Sequence, residues 1–213
     1  MNIFYLDHDV HTCAEMHNNS HVVKMILEYA QLLSTAHRIL DGVLSTGISP
    51  SGRKKSVYVL ADNRDTILYS ATHINHPSAV WVRQSHHNYI WLAKLLVALC
   101  EEYTYRYDKF HKVERDGLCY FLLKNVPKNI PIGAFTEPTP AMPDDVKILK
   151  EVYVDRYELD SMASYRNYYI QHKTHLAKWK DRPIPKWYVN GNVDRKSTRL
   201  NSSHTDISRM PSS

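Results

Sequence analysis

The stretch SHVVKMILEYAQLLSTAHRILDG, residues 20–42, decides the fold of this chain. It has no Gly or Pro before its last residue, and its apolar side chains recur at the 3.6-residue period of an α-helix. Ser20 is a residue type that caps helix N-termini, and Asp41-Gly42 is typical of a helix C-terminus. Because apolar positions cover most of the circumference, the stretch predicts a long helix that packs on several sides.

Further along the chain, three more segments predict helices. They are residues 78–107, 113–124 and 161–180, and none of them contains Pro. A proline-rich segment, residues 131–143, predicts an extended connection between the last two helices.

Only short segments predict β-structure. Residues 2–6 alternate like a strand, and residues 57–60 are expected to pair with 66–69 as a hairpin around Asp62-Asn63. Residues 43–55 predict a loop. The predicted fold class is therefore mainly α, a single-domain helical fold with a short N-terminal strand and a small β-hairpin.

The C-terminal segment 194–213 resembles a translated sequencing adapter. Its first part, DRKSTRLNSSH, can be encoded in one frame by the common short-read adapter, an index would fill residues 205–207, and the adapter resumes at 208. Residues of this origin have to be set aside before reasoning about a fold. We therefore predict one helical domain over residues 1–193, with the native C-terminus missing, and a non-native, disordered tail over 194–213.

Composition excludes few functions. Residues 1–193 keep a net charge of +3, against +5 for the whole chain, which is too mild to indicate nucleic acid by itself. Cys13, Cys100 and Cys119 lack metal-ligand spacing, and the start of the chain does not resemble a signal peptide. The longest apolar run, residues 91–100, is about half the length that spans a bilayer. We expect a soluble cytoplasmic protein without a membrane partner.

Five polar side chains form one stripe about 80° wide on the first long helix. They are His21, Lys24, Glu28, Gln31 and Thr35. One interpretation is a solvated seam with a Lys24–Glu28 ion pair worth about a few tenths of a kcal/mol. The other is a partly dry cleft, where Glu28 acts as a base or stabilises positive charge while Lys24 and His21 supply protons or charge.

The predicted helix 78–107 also carries polar groups on an apolar face. That face consists of Ser85, Asn88, Tyr89, Leu92, Leu96, Leu99, Tyr103 and Arg106. Since buried polar groups need partners, they either make structural hydrogen bonds or line a pocket opposite Glu28. Arg83 and Arg106 carry the planar guanidinium that suits phosphate.

Four histidines make a metal site conceivable: His17, His21, His73 and His76. However, no HExxH pattern occurs, and His17 is expected to precede the helix, so it need not share a face with His21. The alternative is ordinary core or surface histidines. We therefore predict no metal and no cofactor, and keep a metal-dependent hydrolase as an alternative function.

Aromatic side chains are abundant and have two interpretations. They either stack on nucleic acid bases or pack in the core. The set is Trp81, Trp91, Tyr103, Tyr105, Tyr107, Tyr165, Tyr168, Tyr169, Trp179 and Trp187. The absence of P-loop, GxGxxG and GxSxG motifs argues against the common kinase, Rossmann and hydrolase classes.

Several motifs resemble a family of proteins from T4-like tailed phages, including cyanophages. They are HNNSHVVKMILEYAQLLSTAHRILDG, THINHPSAVWVRQSHHNYIWL, LCEEYTYRYDKFHK, AMPDDVK and SYRNYYIQHKTHLAKW, which together cover nearly the whole of residues 1–193. The family has no established activity, so the resemblance implies a phage source and the cytoplasm of an infected bacterium, but no reaction.

One departure from that family is visible. This chain has His17-Asn18-Asn19-Ser20-His21 where the family usually has His-Cys-Asp-Lys-His, so a role for Asn19 or Ser20 in a site is in doubt. More remotely, a Lys…Glu…Gln helix, a His-Pro…Trp segment and a helix ending in Cys-Glu-Glu-Tyr are similar to relatives of the pyrimidine-dimer DNA glycosylases. The N-terminal Thr nucleophile of those enzymes is absent here.

The leading hypothesis is an enzyme that acts on DNA or nucleotides by cleaving an N-glycosidic bond. Glu28, His21 and Lys24 are its predicted catalytic residues. The predicted binding residues are His17, Gln31, His76, Trp81, Arg83, Ser85, Asn88, Tyr89 and Arg106. The alternatives are the metal-dependent hydrolase and a non-catalytic phage factor that binds a host protein or nucleic acid.

Overall fold

The computed structural model describes residues 1–48 and 51–192. The predicted adapter-derived tail lies outside the described residues. The fold is mainly α, as expected. Its helices are α1 (Val10–Met16), α2 (Asn19–Asp41), α3 (Arg64–Ile67), α4 (Pro77–Gln84), α5 (His86–Tyr107), α6 (Lys112–Arg115), α7 (Leu118–Lys124) and α8 (Ser161–His172), and residues 186–192 are also helical. Short 3-10 turns lie at Asp144–Val146 and Thr174–Leu176.

Two antiparallel hairpins make up the β-structure. Strands β1 (Val43–Ile48) and β2 (Lys54–Val59) form the first, and strands β3 (Ile148–Tyr153) and β4 (Arg156–Asp160) form the second. Most residues of both hairpins are exposed, so they project from the helical body instead of packing within it.

The long helix α2 forms the centre of the helical body. Its N-cap is Asn18, whose side chain accepts a hydrogen bond from the backbone of His21, so the predicted cap at Ser20 is wrong by two residues. Its C-cap is Gly42 as predicted; a Cβ there would lie 2.5 Å from the carbonyl oxygen of Arg38. Helix α2 buries side chains on several sides and packs chiefly against α5.

The other predicted helices are shorter than expected. The segment 78–107 breaks at Ser85, whose extended backbone lets its hydroxyl cap α5. The segment 113–124 breaks at Gly117, which adopts a φ of 75° that favours glycine. The segment 161–180 ends as an α-helix at His172. In each case a local cap or turn overrides a continuous apolar pattern.

The β-structure differs most from expectation. Residues 2–6 form no strand; Ile3 to Leu6 are buried by the surrounding helices. The predicted hairpin of 57–60 with 66–69 is wrong, because residues 57–59 pair with β1, inside the predicted loop, while Arg64–Ile67 is helical. The second hairpin and α1 were not predicted.

Candidate functional site

Glu28 lies at the meeting point of three chain segments. Its Oε1 is 3.3 Å from the Nζ of Lys24, one helical turn earlier, and its Oε2 is 3.9 Å from the amino nitrogen of Met1. The Glu28 side chain is 16% exposed, whereas that of Lys24 is 70% exposed. His76 adds a third cationic or hydrogen-bonding group close enough to interact electrostatically with Glu28. We call Met1, Lys24, Glu28 and His76 the Glu28 cluster.

His76 is half-buried and has one ring nitrogen bonded to the protein. It caps α4 by accepting a hydrogen bond from the backbone of Ser78 at its Nδ1. Partial burial lowers its pKa, so the neutral ring carries its hydrogen on Nε2, which remains a donor.

His21, predicted to be catalytic, points inward. Its ring is 5% exposed, stacks on Phe4 with centroids 4.1 Å apart, and lies 2.6 Å from the Tyr169 hydroxyl through Nδ1. Burial lowers its pKa to about 2, so it is neutral at physiological pH and cannot serve as a proton donor there. The His21 ring packs against Phe4 and so stabilises the N-terminal segment, whose first residue contacts Glu28.

His17, predicted to bind a ligand, is also structural. Its Nδ1 donates to the carbonyl oxygen of Cys13 at 2.7 Å, and its Nε2 accepts from the Tyr29 hydroxyl at 3.3 Å. Burial lowers its pKa to about 4. Among residues 1–48 and 51–192, no three His, Cys, Asp or Glu side chains are placed to hold a metal ion, so the conceived four-histidine site does not form.

Three predicted binding residues instead anchor the proline-rich connection. Ser85 Oγ donates to carbonyl oxygens of that segment, Trp81 Nε1 donates to Thr136, and Asn88 Oδ1 accepts from the Thr136 backbone at 2.9 Å. Asn88 Nδ2 also donates to the Trp81 carbonyl. These side chains make structural hydrogen bonds, which was one of the two interpretations, and they do not face Glu28.

Tyr89 belongs to a buried network near the end of α2. Its hydroxyl lies 2.9 Å from His37 Nε2 and donates to the carbonyl oxygen of Leu122. Arg64 donates to His37 Nδ1 at 3.1 Å and pairs with Asp41 at 2.5 Å. Tyr89 is therefore fully bonded and cannot line a pocket.

Arg106 does not bind phosphate in this structure. Its fully buried guanidinium donates to Glu102 at 2.6 Å and to the carbonyl oxygens of His17 and Glu15. Arg182 pairs with the same Glu102 carboxylate at 2.8 Å. The prediction that Arg106 binds phosphate is wrong, because its guanidinium is buried and already donates hydrogen bonds to Glu102 and to backbone carbonyl oxygens.

The remaining predicted residues lie on α2 or on the neighbouring helix α4. Thr35 and Gln31 continue the polar stripe from Glu28, and the Thr35 hydroxyl accepts from the Thr72 backbone at 3.2 Å. Arg83 donates from NH1 to the carbonyl oxygens of Ile74 and Ala79 and meets no carboxylate among the described residues. Of the predicted site residues, Lys24 and Glu28 are thus paired and His76 lies within electrostatic range of Glu28, whereas Arg83 is bonded to the segment that precedes His76.

Most predicted base-stacking aromatic residues belong to the core. Trp81, Tyr165 and Tyr169 are almost completely buried, and Trp91 and Trp179 nearly so. Tyr105 is exposed, but Arg182 lies over its ring, 4.1 Å from the centroid. The packing interpretation is therefore confirmed for these buried rings.

The sequence missed Met1 and the lysines of β2 as possible site components. Met1 is distant from Glu28 in sequence, so only the folded chain shows their contact. Lys54 and Lys55 belong to the predicted loop 43–55, although together with Arg53 they form a run of three basic residues in the sequence.

Comparisons with protein-family models, curated proteins and solved structures find no match to this chain. The resemblances to phage proteins and to DNA glycosylases therefore stay predictions. No helix within the described residues has both the length and the apolar character needed to cross a membrane.

Proposed function

We propose that this protein acts on DNA by hydrolysing an N-glycosidic bond, with Glu28 as its central carboxylate. The observation that carries the proposal is the placement of a partly exposed carboxylate beside the exposed ammonium group of Lys24, 3.3 Å away. A carboxylate stabilises the positive charge that develops on the sugar, and adjacent cations attract the phosphate backbone.

The reaction is a hydrolysis. The bond between C1′ and the base nitrogen breaks, and the base leaves with the electron pair. Glu28 stabilises the oxocarbenium-like sugar and accepts a proton from the water that adds to C1′. Lys24 supplies a proton to the departing base, and the products are a free base and an abasic site. His21 contributes by supporting this region, because its neutral, buried ring does not reach the substrate.

The test uses the full chain and end-labelled duplex DNA containing different altered bases, including ultraviolet-induced pyrimidine dimers. Hot alkali converts each abasic site into a strand break, which is counted on a gel. We expect Glu28→Gln to lower the rate by about 10²-fold or more, the usual effect of losing an acid–base group. Glu101→Gln is the matched control, since that exposed carboxylate pairs only weakly with His11 at 3.7 Å.

Two results would contradict the proposal. One is a Glu28→Gln variant that produces abasic sites as fast as the wild type. The other is a wild-type chain that produces none with any of the altered bases.

A second candidate function, a non-catalytic binding factor, is favoured by the β3–β4 hairpin. Leu149, Tyr153, Val154 and Tyr157 are each more than half exposed there, and such apolar clusters often mark interaction surfaces. Tyr157→Ser with Leu149→Ser should then abolish capture of a specific host protein while the circular dichroism spectrum of the folded chain stays unchanged. Equal capture by the double variant would exclude this surface.

A further inference from the structure

We infer that the protein binds an extended strand of nucleic acid, not a free nucleotide, along a track from the Glu28 cluster to the β1–β2 hairpin. The anion track is defined as Lys24, His76, Arg83 and Lys55. The inference rests on the proposed function in one respect: the end of the anion track at Lys24 lies beside Glu28, the proposed catalytic carboxylate.

The backbone of the track is the segment that connects α3 to α4. This segment runs beside α2, fixed at one end where Arg38 Nε donates to the Tyr69 carbonyl oxygen at 2.5 Å. Further along, Thr72 is bonded to Thr35, and His76 then reaches the neighbourhood of Glu28. Residues 69–76 thus form a continuous wall along the polar stripe of α2.

The length of the wall exceeds one nucleotide. Arg38 and Glu28 are ten residues apart on α2, which corresponds to about 15 Å at 1.5 Å per residue. Each strand of duplex DNA carries one phosphate per about 3.4 Å of helix axis, so a wall parallel to the axis spans about four base pairs. A mononucleotide would contact only one end of it.

Arg83 is bonded to Ile74, which belongs to the wall, and supplies positive charge that no carboxylate in the described residues pairs with. Its NH1 is used by the carbonyl oxygens of Ile74 and Ala79, which fix the guanidinium beside the wall. No carboxylate pairs with it in the described part of the chain. An arginine held by carbonyl groups alone keeps its charge available for a phosphate.

The far end is a cleft of about 300 Å³ beneath β2. It is lined by Arg38, Lys55, Ser56, Val57, Tyr58, Val59, Asp65, Ser70 and Ala71. Its acid, Asp65, is 38% exposed and already paired with Arg38 at 2.7 Å, so Lys55 sets the net charge of the cleft. Lys54 and Lys55 are exposed neighbours on β2; because they lie on opposite faces of the hairpin, only Lys55 lines the cleft.

The experiment measures binding of a fluorescein-labelled 20-base-pair DNA duplex by anisotropy at several salt concentrations. Lys55→Gln should lower the slope of log K against log salt by about 0.9, the contribution of one phosphate contact. The same relation corresponds to about fivefold weaker binding at 0.15 M salt. Lys54→Gln removes equal charge from the opposite face of the same hairpin and should leave the slope unchanged.

Three further variants or competitors separate loss of a phosphate contact from misfolding and from nucleotide binding. Lys55→Arg keeps the charge and should keep the slope, and circular dichroism shows whether each variant is folded. Arg83→Gln should lower the slope by about 0.9. An excess of thymidine monophosphate should displace the duplex only at much higher concentration than unlabelled duplex does.

The inference is overturned if Lys55→Gln binds the duplex like the Lys54→Gln control, or if the mononucleotide competes as well as the duplex. Failure of the proposed function has a different signature. In that case the wild type binds DNA through the track but forms no abasic sites. Conversely, Glu28→Gln should lose activity while binding DNA at least as tightly, because it removes a negative charge.

Discussion

Two groups of charged side chains in this protein differ in how far they are buried. Around Arg106, the guanidinium and the Glu102 carboxylate are almost fully buried, and each bonds to several partners. In the Glu28 cluster, the carboxylate is partly exposed and its Lys24 partner is largely in solvent. The first group holds segments of the fold together, whereas the second has charge left for a ligand.

The same contrast separates the histidines. His17, His21 and His37 are buried and bonded to protein groups, and burial lowers the pKa of each. His76 is only half-buried and uses its Nδ1 to accept a hydrogen bond from the backbone of Ser78. Burial with complete bonding therefore marks structural polar residues here, and partial exposure marks the candidates for function.

The strongest test of this comparison is Arg106→Met. The variant leaves Glu102 buried with Arg182 as its remaining cationic partner and frees the carbonyl oxygens of His17 and Glu15. We expect the free energy of unfolding to fall by about 3–5 kcal/mol, the usual cost of breaking a buried pair. Urea denaturation measures it.

The matched control is Arg156→Met. That guanidinium pairs with Glu158 at 3.3 Å on the exposed second hairpin, so its loss should change stability by about 0.5 kcal/mol or less. A loss below about 1 kcal/mol for Arg106→Met would show that the buried group is not structural.

The second test uses pH. Burial lowers the pKa of His37 to about 4, and Arg64 next to Nδ1 adds to this effect. Between about pH 6.5 and 4, the unfolded chain therefore binds a proton at this position that the folded chain does not, so stability falls as pH falls. From pH 7.5 to 5 the loss from His37 is about 2 kcal/mol.

His37→Gln should remove that share of the pH dependence. Glutamine keeps an acceptor for Arg64 and a donor for the Tyr89 hydroxyl, but does not titrate. Urea denaturation at pH 7.5 and pH 5 gives both free energies, with the exposed His87→Gln as control. An unchanged pH dependence in His37→Gln would mean that other groups cause it.

How much of this the sequence could predict depends on whether a property is local. Helix α2 and the shared face of Lys24 and Glu28 follow from helical spacing alone, and both were predicted. The second hairpin was missed because β3, ILKEVY, does not alternate apolar and polar residues, and the alternation of β4, RYELD, extends over only five residues.

The candidate site was only partly predictable, because several of its contacts join residues that are distant in sequence. The contact of Met1 with Glu28 and the position of His76 depend on how distant segments pack. The inward orientation of His21 is equally a tertiary effect: on the isolated helix it belongs to the polar stripe, but Phe4 and Tyr169 enclose it.

The smallest expected change in stability belongs to the residue with the largest expected effect on activity. Glu28→Gln loses an ion pair with the largely solvated Lys24 and a longer contact with Met1, 3.9 Å away. Pairs of this kind contribute about 0.5 kcal/mol or less, so the urea midpoint should hardly move. If Glu28→Gln instead destabilised the fold by about 2 kcal/mol or more, the carboxylate would belong with Arg106 among the structural charges, and any loss of activity would follow from misfolding. Unchanged stability together with lost activity would place Glu28 in the chemistry itself.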